Sequence, residues 1–282
     1  MGSEFHKIAI LGRRDDKRVA GPLAELVEHL TKAGIEVGDD TQVEGADLAI
    51  AIGGDGTMLF AGSLVRDHDI PLFGINRGRL GFLADVTPDA MLDSVDHVLQ
   101  GQYTTEERLL LEAQLERADG DVTTGIAFND VVLQRWETGR MVDFETSVGD
   151  QFVNTHSGDG LIVASPTGST AYALSCGGPI VEPQLDAMVM VPICPHTLTD
   201  RPLVIAANQH VTIRLLEREE TGAGVAIDGH SIGPIEPADT LRITAAGQRI
   251  KLVHPPGYDF YEILRSKLLW GRDSRIRASR KG

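Results

Sequence analysis

Cysteine is scarce in this sequence: the 282 residues include two, Cys176 and Cys194, with no C-x-x-C spacing between them. A disulfide framework of several pairs is therefore excluded, and such usage is typical of a reducing cytoplasm. No apolar run approaches the roughly 18 residues that cross a bilayer, and the first residues lack the apolar core of a signal peptide. We therefore expect a cytoplasmic protein that has no membrane partner.

Positive charge is also in short supply, because 26 Lys and Arg residues stand against 41 Asp and Glu, a net charge of −15. A surface of that sign repels polyanions, so nucleic acid is not an expected partner. Any phosphate ligand must be held by backbone amides, a few cations or a metal ion. The hydrophobic share of 42% is enough for a substantial core, and the length suits one large or two ordinary domains.

The first hundred residues alternate between strand-like and helix-like segments. The apolar runs that predict strands cover 7–12, the stretch around Ile35 and Val37, 47–52 and 70–75. The segments that predict helices lie between Pro22, near the expected start, and Gly34, across 57–66, and from Thr87 and Pro88 to Gly101. Repeated strand–helix units produce a parallel sheet with right-handed crossovers, so we predict a doubly wound, Rossmann-like α/β domain.

The pattern changes after this domain. From Leu109 to about Val253, short and often alternating apolar segments separated by turns predict a β-rich, sandwich-like domain. Helical spacing returns at 259–270, and an isolated amphipathic helix must bury its apolar face on a neighbour. We therefore predict an α/β domain over 6–103, a β-rich domain over 104–254, and a helical segment over 255–282 that docks back on the first domain. The first five residues are set apart from the fold.

The glycine-rich turn Gly53-Gly54-Asp55-Gly56-Thr57 joins a predicted strand to a predicted helix. Glycines allow positive φ and close approach of a ligand, and a helix N-terminus favours phosphate. Asp55 is out of place there, because a carboxylate repels anions unless it holds Mg²⁺ or acts on a substrate hydroxyl. This contradiction indicates phosphoryl transfer, whereas the simpler alternative is a tight turn in which Asp55 or Thr57 caps the helix.

Three further stretches place polar groups where a ligand could use them. Asn129 and Asp130 interrupt an apolar run over 125–133, where an amide could bind an adenine edge and a carboxylate could bind ribose hydroxyls, unless the pair is a bulge with its own hydrogen bonds. The hydroxyl- and glycine-rich stretch 158–179 offers donors, and Tyr172 in it offers a stacking face. Asn76 and Arg77 follow a strand and could bind phosphate, although Arg77 or Arg79 could instead pair with acidic neighbours.

Taken together, these motifs resemble those of the bacterial NAD kinases over almost the whole chain. The motifs that carry the resemblance are Gly53–Thr57, Phe73–Asn76, Asn129–Asp130, Asp159–Val163, Ser165–Tyr172, Pro195–Leu198 with Arg201–Pro202, and Asp228–Gly229. The resemblance implies phosphorylation of the adenosine ribose 2′-hydroxyl of NAD, with ATP as donor and Mg²⁺ or another divalent metal. It also implies an α/β domain followed by a β-rich NAD-binding domain, in a homotetramer or homodimer.

The resemblance also implies roles for individual residues. Asp55 would activate the 2′-hydroxyl. From the chemistry of the turn itself we expect Gly53, Gly54, Gly56 and Thr57 to help to hold ATP, and from their place after a strand we expect Asn76 and Arg77 to lie near its phosphates. The residues that would contact NAD are Asp55, Gly56, Asn129, Asp130, Arg140, Ser157, Asp159, Thr170, Ala171, Tyr172, Ser175 and His230. Ser157 stands where many relatives carry a basic residue. No metal-ligating residues are assigned.

Two alternatives remain at this stage. A lipid or sugar kinase could share the Gly-Gly-Asp-Gly turn, although the hydroxyl-rich stretch from Ser165 to Ser175 is unlike the apolar cleft that a lipid acceptor needs. A non-catalytic sensor could bind NAD or NADP and would not need Asp55.

Overall fold

The computed structural model describes residues 4–77, 81–84, 86–136, 140–217 and 222–270. In chain order the strands are β1 (Lys7–Gly12), β2 (Glu36–Gly38), β3 (Leu48–Gly53), β4 (Leu72–Asn76), β5 (Thr104–Glu116), β6 (Val122–Ala127), β7 (Asp130–Arg135), β8 (Val142–Val148), β9 (Gln151–Gly158), β10 (Gly160–Ala164), β11 (Ala187–Ile193), β12 (Leu203–Ala206), β13 (His210–Leu215), β14 (Ala223–Ile227), β15 (His230–Ile235) and β16 (Thr240–His254). The α-helices are α1 (Lys17–Lys32), α2 (Asp55–Val65), α3 (Met91–Leu99), α4 (Tyr172–Ser175) and α5 (Phe260–Lys267), and short 3-10 turns cover Arg66–His68, Pro88–Ala90 and Thr167–Thr170.

The chain divides into two compact units. Unit 1 contains residues 1–106 and 250–282, and unit 2 contains residues 107–249. No described helix is long and apolar enough to cross a membrane.

Unit 1 is built on a parallel sheet in the order β2-β1-β3-β4, and Leu252 and Val253 of β16 continue it in parallel beside β4. All residues of β3 and β4 are buried, as expected for parallel strands that are covered on both faces. The apolar faces of α1 and α3 pack in the same core cluster as β1 and β3. The predicted doubly wound α/β architecture is confirmed.

Helix α1 begins earlier than its proline suggested. Asp16 is its N-cap and accepts a hydrogen bond from the Arg18 N–H, so Pro22 lies inside the helix and not near its start. At the other end Gly34 adopts a φ of +79°, and the N–H groups of Gly34 and Ile35 bond back to the last turn. The prediction of Gly34 as the stop signal was right, and the start was misplaced because the capping aspartate was overlooked.

Both ends of unit 1's sequence contribute to its packing. Phe5, which the sequence analysis set apart, is buried and lies 5.9 Å from the Tyr103 ring, so that separation was wrong. Helix α5 buries Phe260, Ile263 and Leu264, the face that its spacing predicts. The basic tail beyond Trp270 lies outside the described residues.

Unit 2 contains two antiparallel sheets. One has the order β12-β11-β10-β7-β14-β15, while the other contains β13 between β8 and β16, β9 at the edge, and the β5–β6 pair. Residues of both sheets, including Leu111, Leu133, Phe144 and Val163, form one buried cluster. This is the β-sandwich arrangement that the alternating segments predict.

The apolar run 125–133 is not one strand. It ends at Ala127 in β6 and restarts at Asp130 in β7, and these two strands belong to different sheets. The strand breaks because the backbone N–H groups of residues 128–130 bond to a side chain, that of Asp228, and not to a neighbouring strand. Asn129 therefore lies at the crossing from one sheet to the other.

Candidate functional site

In unit 1 the glycine-rich turn connects β3 directly to α2. Gly54 is the N-cap, with no side-chain cap, and Asp55 is already the first helical residue. The turn does not use the positive φ that glycine allows, because none of its three glycines adopts it. A Cβ on Gly53 would lie 2.0 Å from the Thr57 Oγ1, whereas one on Gly54 or Gly56 would meet nothing within 4 Å. Gly53 is thus required for packing, and the other two glycines leave open space.

The Asp55 carboxylate points at a second turn. Its Oδ2 accepts the Phe82 N–H at 3.3 Å and its Oδ1 accepts the Leu83 N–H at 3.2 Å. A Cβ on Gly81 would lie 2.1 Å from Oδ1, so this approach requires glycine. Asp55 therefore does not cap its own helix. The alternative that it is only a capping residue is rejected, because its carboxylate is held at a defined place by two amides.

A cavity of ≈ 550 Å³ lies at the carboxyl ends of the parallel strands. It is lined by residues at or beyond the carboxyl ends of β1, β2, β3 and β4: Gly12, Arg13, Asp40, Gly54, Gly56, Thr57, Phe60 and Arg77. The order β2-β1-β3-β4 reverses direction between β1 and β3, which is the switch point where α/β sheets bind ligands. The cavity's volume is within the range of cofactor pockets. Backbone amides, two arginines and a helix N-terminus make it suitable for phosphate groups.

Asn76 and Arg77 are used differently. Asn76 is buried and donates its side-chain N–H to the Ala84 carbonyl at 3.4 Å, which fixes the segment that follows the Asp55-binding turn. Arg77 lines the cavity, and its guanidinium lies 2.7 Å from the carboxylate of Asp16. Arg18 first, and Arg77 more weakly, hold the pKa of Asp16 at about 2. The acidic partner anticipated for Arg77 is therefore Asp16, while Arg79 lies outside the described residues.

In unit 2 a single carboxylate organises the Asn129–Asp130 crossing. Asp228 accepts the N–H groups of Phe128, Asn129 and Asp130 at 2.7, 2.8 and 3.1 Å. Asp228 and Gly229 have φ values of +47° and +81°, so they form the two-residue hairpin turn between β14 and β15. This Asp-Gly pair is one of the motifs that carry the family resemblance, but nothing in the sequence predicts its role at the crossing.

Asp130 lies in the same place and is 5% exposed. Burial, and secondarily the negative charge of Asp228, raise its pKa to about 7. Asp130 is therefore poised between a protonated donor and an ionised acceptor near neutral pH.

In the hydroxyl-rich loop after β10, the Ser165 and Ser169 hydroxyls form hydrogen bonds with nearby backbone groups. Ser165 Oγ donates to the Phe128 carbonyl at 2.6 Å and accepts the Gly168 N–H at 3.1 Å, while Ser169 Oγ donates to the Pro166 carbonyl at 2.6 Å. A Cβ on Gly168 would lie 2.0 Å from the Asn129 carbonyl oxygen. The expectation that these hydroxyls converge on a ligand is thus corrected for Ser165 and Ser169, which fasten the loop to the crossing.

The remaining predicted NAD contacts of the loop are at least partly exposed. Tyr172 is 38% exposed, and burial first, then the Cys176 thiol, raise the pKa of its hydroxyl. Ser175 is exposed, and Thr170 and Ala171 are half-buried, with the Thr170 hydroxyl donating to the Thr167 carbonyl. The aromatic face of Tyr172 is therefore accessible for stacking.

Asp159 joins β9 to β10 and pairs with an arginine that the sequence analysis did not single out. Arg135 Nε lies 2.6 Å from Asp159 Oδ1. Of the other predicted contacts, Ser157 is half-buried, and its carbonyl accepts the His196 N–H. Arg140, two residues before β8, and His230, the first residue of β15, are both exposed. No spacing in the sequence connects Arg135 with Asp159, so only the fold could pair them.

Comparison with known proteins identifies the family. The model of the ATP-NAD kinase N-terminal domain matches residues 13–103, and that of the ATP-NAD kinase C-terminal domain matches residues 128–255. An NAD kinase from Teredinibacter turnerae is 42% identical over 284 residues, covering 94% of this chain and 97% of the relative. One from Nitrosococcus oceani is 41% identical over 290 residues, covering 96% and 99%.

Two solved structures share the fold. A yeast NADH kinase complexed with NADH has a TM-score of 0.86 at 21% identity and covers 98% of this chain and 94% of its own. An NAD kinase from Archaeoglobus fulgidus in complex with ATP has a TM-score of 0.72 at 22% identity, covering 93% and 97%. The sequence matches decide against a lipid or sugar kinase and against a binding-only sensor, and the chain belongs to the ATP-NAD kinase family.

Proposed function

We propose that the chain transfers the γ-phosphate of ATP to the 2′-hydroxyl of the adenosine ribose of NAD, producing NADP. The observation that supports this most strongly is the Asp55 carboxylate, which two backbone amides hold and whose neighbours in sequence, Gly54 and Gly56, line the cavity. Family membership supports the identities of donor and acceptor. The acceptor hydroxyl has to be oriented, but it does not need a strong base, because the transition state is loose and the proton leaves late.

In this proposal Asp55 accepts the proton of the 2′-hydroxyl and fixes its direction of attack. Gly53, Gly54, Gly56 and Thr57, with Arg77, help to hold the phosphates of ATP in the cavity of unit 1. The helix N-terminus at this turn and the Arg77 guanidinium offset the negative charge that develops on the transferred group. Asn76 contributes indirectly, through the Ala84 carbonyl that it binds.

The NAD contacts proposed for unit 2 divide by chemistry. Asn129 and Asp130 take adenosine, since an amide and a carboxylate can bind a base edge and sugar hydroxyls. Asp159 takes the nicotinamide half. The other contacts proposed are Arg140, Ser157, Thr170, Ala171, Tyr172, Ser175 and His230, with Tyr172 offering a stacking face.

The described residues fit a divalent cation that arrives with its nucleotide. They contain no group of three or more His, Cys, Asp or Glu side chains of the kind that holds a resident metal. The cavity lining does contain Asp40 and Thr57, whose oxygens are the hard ligands that Mg²⁺ takes alongside substrate phosphates and water. Bound with ATP, Mg²⁺ would neutralise part of the negative charge of the phosphates.

The assay uses purified protein with ATP, Mg²⁺ and NAD, and it detects NADP with an NADP-specific dehydrogenase. We expect NADP to form only when all three are present. Failure of folded protein to form NADP would overturn the proposal.

We also propose a homotetramer or homodimer located in the cytoplasm. The family resemblance supports the assembly, and the two free cysteines are consistent with a reducing compartment. Light scattering after size exclusion measures the assembly, and a monomeric mass at micromolar concentration would contradict it.

A further inference from the structure

The Arg135–Asp159 pair is built into the backbone of unit 2. Arg135 ends β7, and its backbone N–H donates to the Asp159 carbonyl at 3.0 Å while its Nε lies 2.6 Å from Asp159 Oδ1. The two side chains are 22% and 26% exposed. The next residue, Gly160, has a φ of +150°, and a Cβ there would lie 2.0 Å from the Leu133 carbonyl oxygen. The close approach that permits this ion pair therefore depends on glycine.

We propose that Arg135 is a positioning residue that sets the preference of this enzyme between oxidised and reduced pyridine nucleotide. The inference rests on the proposed function, in which Asp159 faces the nicotinamide half of the ligand. The oxidised nicotinamide ring carries a positive charge, and the dihydronicotinamide ring is neutral. A free carboxylate attracts the charged ring, whereas a carboxylate paired with a guanidinium presents little net charge. By pairing with Asp159, Arg135 thus reduces the preference of the enzyme for the oxidised nucleotide.

Two residues that precede Asp159 closely in sequence, Ser157 and His156, do not compete with Arg135 for its carboxylate. Ser157, two positions before Asp159, is neutral. His156 is buried, with its ring nitrogens 2.6 Å from Asp200 Oδ2 and 2.8 Å from Thr146 Oγ1, and is thereby bonded away from Asp159. Tyr172 is close enough for the Asp159 charge to contribute, after burial and the nearby thiols, to the raised pKa of its hydroxyl. Asp159 thus lies within electrostatic reach of the exposed ring that is proposed to contact NAD.

The test is the ratio of kcat/KM for NAD to kcat/KM for NADH, with product measured by chromatography for both. Arg135→Met keeps the apolar stem and removes the charge, and we expect it to raise the ratio about tenfold, equivalent to about 1.4 kcal/mol. Asp159→Asn removes the carboxylate and keeps the Arg135 charge, and we expect the ratio to fall. The double variant should return close to the wild-type ratio, and Arg135→Lys, which keeps a cation, should stay within about threefold of it.

Opposite changes of the ratio in Arg135→Met and Asp159→Asn distinguish an electrostatic role from a structural one, because a simple loss of packing would lower kcat/KM for NAD and for NADH alike. Arg249→Met is the matched control: it breaks an arginine–aspartate pair, with Asp186, that has the same 2.6 Å separation. Asp186 precedes the first residue of β11, whereas the Asp159 N–H bonds to the last, Ile193, roughly 20 Å away along the strand. We expect this variant to keep the wild-type ratio.

Calorimetric titration with NAD and with NADH, without ATP, provides a readout that does not depend on turnover. If the wild type binds both nucleotides but forms neither NADP nor NADPH, the proposed function fails while the charge rule is still tested by binding. An unchanged ratio in both Arg135→Met and Asp159→Asn, or a shift in the same direction in both, would overturn the inference.

Discussion

Asp55 in unit 1 and Asp228 in unit 2 both use a carboxylate to accept backbone N–H groups, but under different constraints. Asp55 accepts two, at 3.2 and 3.3 Å, next to glycines that open onto a cavity. Asp228 accepts three, at 2.7, 2.8 and 3.1 Å, from the crossing between two sheets. Long bonds from a turn fix a direction while leaving oxygen lone pairs available, whereas short bonds from three successive amides replace a missing strand partner.

This difference predicts that the two aspartates fail differently when replaced. Loss of Asp55 should remove activity and spare stability, whereas loss of Asp228 should chiefly lower the free energy of unfolding.

The largest effect is expected for Asp55→Asn. The amide keeps one oxygen for the turn but cannot accept the proton of the 2′-hydroxyl, so kcat for NADP formation should fall about 10³-fold. The free energy of unfolding should change by less than about 1 kcal/mol, because the site is half-exposed and few contacts are lost. Initial rates and urea unfolding measure the two quantities. A near wild-type kcat in the Asp55→Asn variant would show that Asp55 does not take part in the chemistry.

Asp228→Ala is expected to have the next largest effect. Three N–H groups lose their acceptor, and alanine disfavours the φ of +47° at this position. We expect a loss of about 3 kcal/mol in the free energy of unfolding, measured by urea denaturation.

Asp228→Asn is the matched control, since asparagine keeps an acceptor oxygen and tolerates the left-handed region. The loss of unfolding free energy in this variant should be roughly 1 kcal/mol. Equal stability of the two variants would mean that the carboxylate does not hold the crossing together.

Gly81→Ala tests whether the amide turn places the Asp55 carboxylate. The new Cβ would lie 2.1 Å from Oδ1, so the carboxylate or the turn must move. A displacement of that order should lower kcat by about 10²-fold while KM for NAD changes little. Gly21→Ala, in α1 with nothing within 4 Å, serves as the control and should keep kcat and gain up to about 1 kcal/mol of stability. If kcat is unchanged in both variants, this turn does not determine where the Asp55 carboxylate lies.

The sequence predicted the fold well where local signals agree. Buried apolar runs identified β1, β3 and β4, and the strand–turn–helix pattern predicted the connection at Gly53–Thr57, which lines a cavity at the carboxyl edge of the sheet. It failed at Asn129, where an apolar run continues through a break. Periodicity cannot reveal that break, because the partner of these amides is the Asp228 side chain, about a hundred residues further along the chain.

The site residues show the same division. The charge of Asp55 among glycines makes it a candidate from the sequence alone, but its partners in the Gly81–Leu83 turn could not be predicted, since no sequence pattern links the two segments. The serine-rich loop was predicted to face a ligand because hydroxyls are ligand donors. Ser165 and Ser169 face inward because the buried backbone of the crossing and of the loop itself needs the same donors and acceptors.

The smallest effect is expected for Asp130, which lies beside Asp228 in unit 2 and should make the free energy of unfolding depend on pH. Its pKa of about 7 in the folded protein lies above the ordinary value near 3.8, so between these pH values the folded state binds more protons than the unfolded state. Stability from this group is present below about pH 4 and is lost as pH rises through 7, by roughly 1 kcal/mol per pH unit within the window.

The Asn side chain of the Asp130→Asn variant cannot titrate, so the difference in unfolding free energy between wild type and variant should shift in the variant's favour as pH rises from 5 to 7. Urea denaturation across that range measures it, and other titrating groups cancel in the difference. A constant difference would mean that Asp130 ionises as an ordinary carboxylate despite its burial beside Asp228.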